Sequence, residues 1–246
     1  MASAVIERST VEQIVRQVAV EYLRKNQNRN APVLTVQTSS RHMHVCREDM
    51  DVLFGPGSDL TFDRPLFQEG NFAAKETVTI VGPRNRLISN LRILGPMRKR
   101  SQVELAFTDA IMLGINDIPI RLSGDIAGTP GAIIIGPKGV VELKQGVIRA
   151  AIHVHMNPGE AAYFGVSRGD RMKLRIGGEA GLTFNNVHVR IDPSSRLNVH
   201  MDTDEANACG LHLTKDIELF KEPECCAPAQ NAKQQRGSDE TSARND

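Results

Sequence analysis

The sequence predicts a mostly β protein made of barrels or a sandwich. Short β-branched or apolar runs recur through the middle of the chain, and Gly, Pro or Asn separates nearly all of them. The 246 residues include 20 Gly and 12 Pro but no Trp, a composition that suits short strands joined by tight turns. Part of the pattern also repeats within the chain. So many short strands argue against a doubly wound α/β sheet.

The first predicted element is an amphipathic helix over residues 9–25. Ser9 and Glu12 fit a capping box at its start, and an apolar stripe follows at helical spacing: Val11, Ile14, Val15, Val18 and Tyr22. A polar linker, residues 26–30, separates this helix from the body of the chain. The helix either packs on its own domain or buries its stripe in a groove of a partner.

Twelve strands are predicted between the helix and the C-terminal end. They cover residues 33–40, 76–81, 87–94, 102–105, 118–122, 132–135, 140–143, 147–155, 172–176, 187–191, 197–201 and 216–220. Residues 56–75 look like an insertion with hairpin character that could serve an oligomer contact. Residues 222–246 are polar and lack periodicity, so we expect a disordered tail.

An internal repeat aligns residues 90–114 with residues 186–210 at a constant offset of 96 residues. Each copy has a strand, a Pro-containing turn, a second strand and a short helix. We expect these helices over residues 108–114 and 203–210, with Thr108 and Thr203 as N-caps and a Gly at each C-terminal end. In this alignment Glu104 matches His200.

Two His-x-His triplets predict metal binding. His42 and His44 form the first pair, and His153 and His155 form the second. Alternate residues of a strand project from one face, so each triplet places two imidazoles side by side. The repeat supplies one further ligand to each pair and so predicts two sites: His42/His44/Glu104 and His153/His155/His200. Three protein ligands and an open position are typical of catalytic zinc, although such sets also bind other first-row ions.

Two neighbouring segments could bind an anion. Arg98 lies in a cluster of three cations just before the strand that carries Glu104, and a guanidinium binds phosphate in a bidentate way. The Gly-rich turn that contains Ser123 and Gly124 could direct backbone N–H groups at phosphate or at CoA. Spacing alone also matches the core of a cupin motif at His42 and His44. We reject that match, because the leading Gly and the second block of the cupin motif are missing. Glu48, which would be part of that motif, is instead expected to be exposed in the first turn of a helix.

Composition excludes several classes of function. The formal net charge is +1 and the pI is about 7.8, so bulk charge gives no reason to expect a nucleic-acid or membrane partner. No apolar run approaches the roughly 20 residues that span a bilayer, and no secretory signal is evident. The four cysteines form no ligand-spaced pairs, which favours reduced thiols in the cytoplasm.

Five ordered blocks resemble the PduL-type phosphotransacylase (phosphate propanoyltransferase) family. They are Ser-Arg-His-Met-His-Val at residues 40–45, Leu-Gly-Pro-x-Arg at 94–98, Arg-Leu-Ser-Gly at 121–124, His-Val-His-Met-Asn at 153–157 and Asn-Val-His-Met at 198–201. The resemblance runs over residues 33–220. It implies two β-barrel domains capped by short α-helices, the first from residues 33–41 plus 150–220 and the second from residues 42–149. The chain would then cross between barrels at both His-x-His triplets.

The resemblance also implies a reaction and its participants. An acyl-CoA and phosphate would interconvert with an acyl phosphate and CoA, with two zinc ions held by His42, His44, Glu104, His153, His155 and His200. Arg98 would contact phosphate. Residues 1–30 look like the family's encapsulation peptide, which implies shell or cargo proteins of a bacterial microcompartment as partners. A homo-oligomer is expected, and propanoyl-CoA is the expected acyl donor in propanediol degradation.

Two other interpretations stay open on the sequence. A dinuclear zinc hydrolase of thioesters or phosphoesters would use the same ligands, but the His-x-His-x-Asp-His signature of one such class is absent, since Cys46 and Arg47 occupy the Asp-His positions. A non-enzymatic scaffold protein is suggested only by the N-terminal helix, and it leaves the histidine sets without a purpose.

Overall fold

The computed structural model describes residues 31–221, together with residues 11, 12, 14–16 and 18. The latter six residues are helical. Val11, Ile14, Val15 and Val18 expose between 45% and 60% of their surface, so they contribute nothing to the core. The capping box at Ser9, Tyr22 and the tail over residues 222–246 lie outside the described residues. In the described part of the chain, no helix has the length and apolarity that crossing a membrane requires.

The fold is mostly β, as predicted, with two curled sheets and short helices. The nine-stranded sheet comes from one continuous stretch of chain. Its strands are β2 (His42–His44), β3 (Phe62–Pro65), β4 (Phe72–Val81), β5 (Leu87–Gly95), β6 (Gln102–Glu104), β7 (Ile120–Arg121), β8 (Ala132–Ile135), β9 (Val140–Leu143) and β10 (Val147–Ala150). The six-stranded sheet contains β1 (Thr35–Ser39), β11 (His153–Met156), β12 (Arg171–Ile176), β13 (Leu182–Ile191), β14 (Asn198–Asp202) and β15 (Ile217–Phe220).

Strand β1 and strands β11 to β15 form one sheet, and strands β2 to β10 form the other. The order is β1-β14-β11-β13-β12-β15 in one sheet and β7-β10-β6-β2-β5-β4-β8-β9 in the other, with β3 paired to β4. Each sheet has its own buried apolar cluster; Met43, Leu91 and Ile134 are fully buried in one, and Met156, Leu174 and Val199 in the other. The domain boundaries as such stay a prediction.

The chain passes between the sheets twice, each time at a His-x-His triplet. β1 pairs in parallel with β14, and the chain then enters the other sheet as β2. β10 pairs in parallel with β6, and the chain then returns as β11. The single strand predicted over residues 147–155 is therefore broken at Ala151 and Ile152, because its two halves belong to different sheets.

Four α-helices lie among residues 31–221: α1 (Arg47–Phe54), α2 (Phe107–Leu113), α3 (Pro158–Phe164) and α4 (Thr203–Ala208). Glu48 is exposed in the first turn of α1, as expected. α2 and α4 are the repeat-related helices, and Gly114 and Gly210 both have left-handed backbones at their C-terminal ends.

The N-caps of the two repeat-related helices differ from the prediction. Asp202 caps α4 and forms a capping box with Glu205, so Thr203 is the first helical residue. Ala106 occupies the cap position of α2 and has no side chain that can accept. Asp204 of α4 supplies the acceptor instead, because its carboxylate accepts the backbone N–H and the hydroxyl of Thr108, each at 2.9 Å. The start of α2 thus joins the two halves of the molecule.

The insertion at residues 56–75 forms a hairpin with the start of β4. Phe62 lies opposite Ala74, and Pro65 lies opposite Phe72. The loop between β3 and β4 reaches the six-stranded half, where the Gln68 amide nitrogen lies 2.8 Å from His155 Nδ1. The predicted oligomer contact of this insertion stays a prediction.

Candidate metal centre and active site

The structure brings the six predicted ligands together as two groups of three. His42, His44 and Glu104 form one group, and the donor atoms of this group lie within 4.8 Å of one another. His153, His155 and His200 form the other group, within the same distance. All six side chains line one cavity of about 270 Å³ to which both sheets contribute.

Strand register explains why each group contains a residue from a distant part of the chain. β2 pairs antiparallel with β6, so His42 lies directly opposite Glu104. β11 pairs antiparallel with β14 in the same way, so His153 lies opposite His200. Residues opposite each other in a ladder project from the same face of the sheet. The offset of 96 residues therefore reflects two equivalent strand pairs.

Two backbone carbonyls fix the ring orientation of the first histidine in each triplet. His42 Nδ1 donates to the carbonyl of Ser40 at 2.8 Å, and His153 Nδ1 donates to the carbonyl of Ala151 at 2.8 Å. A carbonyl only accepts, so the proton of each neutral ring lies on Nδ1. Nε2 then carries the lone pair that a metal needs. Both carbonyls belong to the segments in which the chain changes sheets.

Burial keeps four of the imidazoles neutral. It lowers the pKa of His44 to about 2, of His153 and His155 to about 3, and of His200 to about 4. Nearby imidazoles contribute to all four of these lowered values, because two positive rings at this separation would repel each other. At pH 7 these side chains are neutral donors. Neutral imidazoles can bind a metal cation through their nitrogen lone pairs, so this cluster favours a metal site over a simple apolar pocket.

Glu104 is the one acidic ligand, and a buried network holds it. Burial alone would raise its pKa, but electrostatic attraction to the neighbouring His42 and a hydrogen bond from Ser123 outweigh that effect, so the pKa is lowered. Oε1 accepts from Ser123 Oγ and from Gln102 Nε2, each at 2.7 Å. Oε2 lies 3.5 Å from His42 Nε2. One carboxylate oxygen is thus fixed by the protein while the other faces the ligand group.

The donor atoms fit divalent metal ions of the zinc type. His200 Nε2 is buried and has no hydrogen-bond partner among the described residues, although a buried nitrogen without a partner costs about 1–3 kcal/mol. A metal bond to that nitrogen would remove the cost. Neither group contains a cysteine, and a metal ion held by three such ligands would have a position open for a substrate.

The predicted anion-binding residues lie beside the first group. Arg98 Nη1 donates to Ser123 Oγ at 2.8 Å, and Ser123 in turn donates to Glu104, so the guanidinium is linked to a predicted metal ligand. Gly124 N–H donates to Gln102 Oε1 at 2.7 Å, and Gly124 is not part of the cavity wall. The roles of Ser123 and Gly124 in binding phosphate or CoA stay predictions.

Three residues of the site were missed from the sequence. Gln102 lies two residues before Glu104 on the same face of β6, and Arg190 lies opposite His155 between β11 and β13. Strand alternation from the predicted ligands could have found Gln102. Gln68 comes from the insertion loop, and no local pattern indicates it.

Comparison with known proteins agrees with this geometry. The family model for phosphate propanoyltransferase matches residues 35–212, which include all six predicted ligands and Arg98. The chain belongs to the phosphate propanoyltransferase family. A phosphate propanoyltransferase of Planctopirus limnophila is 48% identical over 230 residues, covering 89% of this chain and 94% of the relative. One of Thermotoga maritima is 48% identical over 195 residues, covering 79% and 91%. One of Salmonella typhimurium is 47% identical over 173 residues, covering 70% and 81%.

Membership of this family makes the chain an enzyme that transfers acyl groups to and from phosphate. CoA is the thiol substrate of that class of reaction. The matched region contains the whole nine-stranded sheet and every strand of the six-stranded sheet except β15.

Proposed function

We propose that the chain interconverts propanoyl-CoA and phosphate with propanoyl phosphate and CoA at a site that holds two zinc ions. The observation that carries this proposal is the pair of repeat-related ligand groups, which share one cavity with Arg98. The propanoyl group comes from the names of the relatives. His42, His44 and Glu104 would hold one ion, and His153, His155 and His200 the other.

The reaction is proposed as direct attack, without an acyl-enzyme. A phosphate oxygen attacks the thioester carbonyl carbon, the C–S bond breaks, and CoA leaves as a thiolate. Of the described cysteines, Cys46 and Cys209 are both buried, and neither lines the cavity. Burial also raises the pKa of both thiols, which opposes the thiolate that a nucleophile requires.

The residues of the chain would supply orientation and charge. Arg98, held by Ser123, would position the phosphate as a bidentate donor. The bound metal ions would supply Lewis acidity toward the carbonyl and the departing sulfur. Leu66, Phe67 and Leu94 form an apolar part of the cavity wall that suits the acyl chain and the pantetheine arm of CoA.

A microcompartment interior is the proposed location. The exposed apolar residues of the N-terminal helix, Val11, Ile14, Val15 and Val18, would bind a shell or cargo protein. These side chains do not pack against the core of the enzyme, because about half of their surface remains exposed.

The test is thiol release from propanoyl-CoA by the purified, zinc-loaded chain, with and without phosphate. We expect release to depend on phosphate and to produce one acyl phosphate for each thiol. Release at the same rate without phosphate would instead identify a thioester hydrolase.

A further inference from the structure

Arg190 lies in the site and has no assigned role. Its strand, β13, runs parallel to β11, and Arg190 pairs directly with His155. Val187 and Val189 on the same strand are buried in the core, so Arg190 projects from the opposite face, toward the ligand groups. It lines the cavity that contains all six predicted ligands.

The guanidinium of Arg190 is half-buried but unpaired. Among residues 31–221 it makes no side-chain hydrogen bond and no ion pair. Burial lowers its pKa, the charge of Glu104 raises it, and the charge of Arg168 lowers it. Arg98 and Arg190 line the same cavity, and the positive charge of Arg190 lowers the pKa of Arg98. Such a pair is stabilised when an anion binds between its members.

A second cleft also points to an anion. This cleft, of about 390 Å³, shares Arg98, Ser123, His155 and Arg190 with the main cavity and then extends past Arg168 to the loop after β13. Apart from Ile191 its wall is polar or charged, which suits phosphate better than an acyl chain. Two acidic residues, Glu69 and Asp192, also line this cleft, and the Asp192 carboxylate accepts the N–H and hydroxyl of Ser194, at 2.9 and 2.6 Å. The three arginines of the wall, Arg98, Arg168 and Arg190, outnumber them.

The repeat shows that Arg190 breaks the symmetry of the site. At the offset of 96 residues, Arg190 corresponds to Leu94 in the other half. The His42/His44/Glu104 group therefore has an acidic ligand, an aliphatic neighbour in register and Arg98 linked to Glu104 through Ser123, whereas the His153/His155/His200 group has only neutral ligands and a cation in direct register. A dianion is favoured beside the second group, and an apolar acyl chain beside the first.

We propose that Arg190 binds the phosphate group of inorganic phosphate and of the acyl phosphate, from the opposite half of the molecule to Arg98. The inference rests on the proposed phosphate acyltransferase reaction. It assigns phosphate to the side of the His153/His155/His200 group.

The test compares Arg190→Gln and Arg190→Lys with Arg175→Gln in the zinc-loaded enzyme. Arg175 is the matched control, because it is exposed on the same sheet and paired with Glu218 at 2.9 Å. Loss of a charge-assisted hydrogen bond predicts that Arg190→Gln raises the KM for phosphate by about 10-fold or more, with the KM for acyl-CoA within about twofold. Arg190→Lys should give a smaller increase, since an ammonium cannot bind in a bidentate way. Arg175→Gln should change neither constant.

A binding measurement without turnover completes the test. Calorimetric titration of inorganic phosphate, with no acyl-CoA present, should show a Kd for Arg190→Gln raised by a similar factor, at unchanged zinc content. An unchanged phosphate KM and Kd, an increase confined to the KM for acyl-CoA, or loss of zinc from the variant would each overturn the role of Arg190. Wild-type thiol release that ignores phosphate would refute the proposed function itself, and the inference with it.

Discussion

Replacing Gln102 tests whether the network around Glu104 sets metal affinity. Gln102 is 2% exposed, and its amide donates to Glu104 Oε1 at 2.7 Å and to Ser123 Oγ at 2.8 Å. Gln102→Leu keeps the volume but removes both bonds. The bond to the ionised carboxylate contributes about 1.5–3 kcal/mol and the bond to the hydroxyl about 1 kcal/mol. Gly124 N–H also loses its acceptor, but Gly124 is exposed and water replaces it.

We therefore expect Gln102→Leu to lower the free energy of unfolding of the metal-free protein by about 2.5–4 kcal/mol. Loss of a group that orients a ligand typically weakens metal binding by about 10–100-fold. Urea unfolding measures the first effect, and competition with a chelator measures the second. Only one of the two ions should become easier to remove, because Gln102 contacts only the group that contains Glu104.

Asn198 provides the matched control. It corresponds to Gln102 in the repeat and is fully buried, but its amide donates to Thr35 Oγ1 at 2.7 Å and to no ligand. Asn198→Leu should lower stability and leave both ions as tightly held as in the wild type. If Gln102→Leu kept wild-type affinity for both ions, the network would have no role in holding the metal.

Three further predictions concern the anion site, the histidines and the N-terminal helix. Arg98→Ala should raise the KM for phosphate by about 10-fold or more while the zinc content stays constant. Loss of zinc from this variant would show that the phosphate-binding role of Arg98 is wrong. For the metal-free protein, the folded pKa values of His44, His153, His155 and His200 lie below the unfolded value, so stability is complete above pH 6.5 and falls as the pH decreases. Between pH 6.5 and 5, each histidine should lower the free energy of unfolding by at most about 2 kcal/mol. A thermal unfolding midpoint that does not change with pH in this range would contradict this prediction. Deleting residues 1–30 should preserve activity but abolish loading into a microcompartment, and a soluble, folded but inactive truncation would show that the helix belongs to the catalytic body.

The ligand groups were accessible from the sequence because strand geometry is periodic. Each His-x-His triplet places two rings on one face, and the repeat points to the strand that supplies the third ligand. The positions of Glu104 and His200 opposite His42 and His153 follow from that relation. The passage of the chain between sheets came from the family resemblance, since the pairing of β1 with β14 is a non-local contact that no local pattern specifies.

Contacts between the two halves of the molecule could not be predicted from the sequence. The sequence around Ala106 does not indicate how the start of α2 is capped, because the carboxylate that accepts the Thr108 N–H belongs to Asp204 in the other half. Gln68 reaches His155 only because the insertion loop folds over the site. Arg190 looks like any polar residue of an alternating strand, and only the register with His155 places it beside a ligand group.

The metal content of the intact chain tests the central claim most directly. Mass spectrometry with an inductively coupled plasma, calibrated against protein concentration, should find two zinc ions per chain in the wild type. It should find about one in His200→Ala, because a group with two remaining ligands binds the ion weakly. A wild-type chain that is active and contains one metal ion or none would contradict the two-metal account.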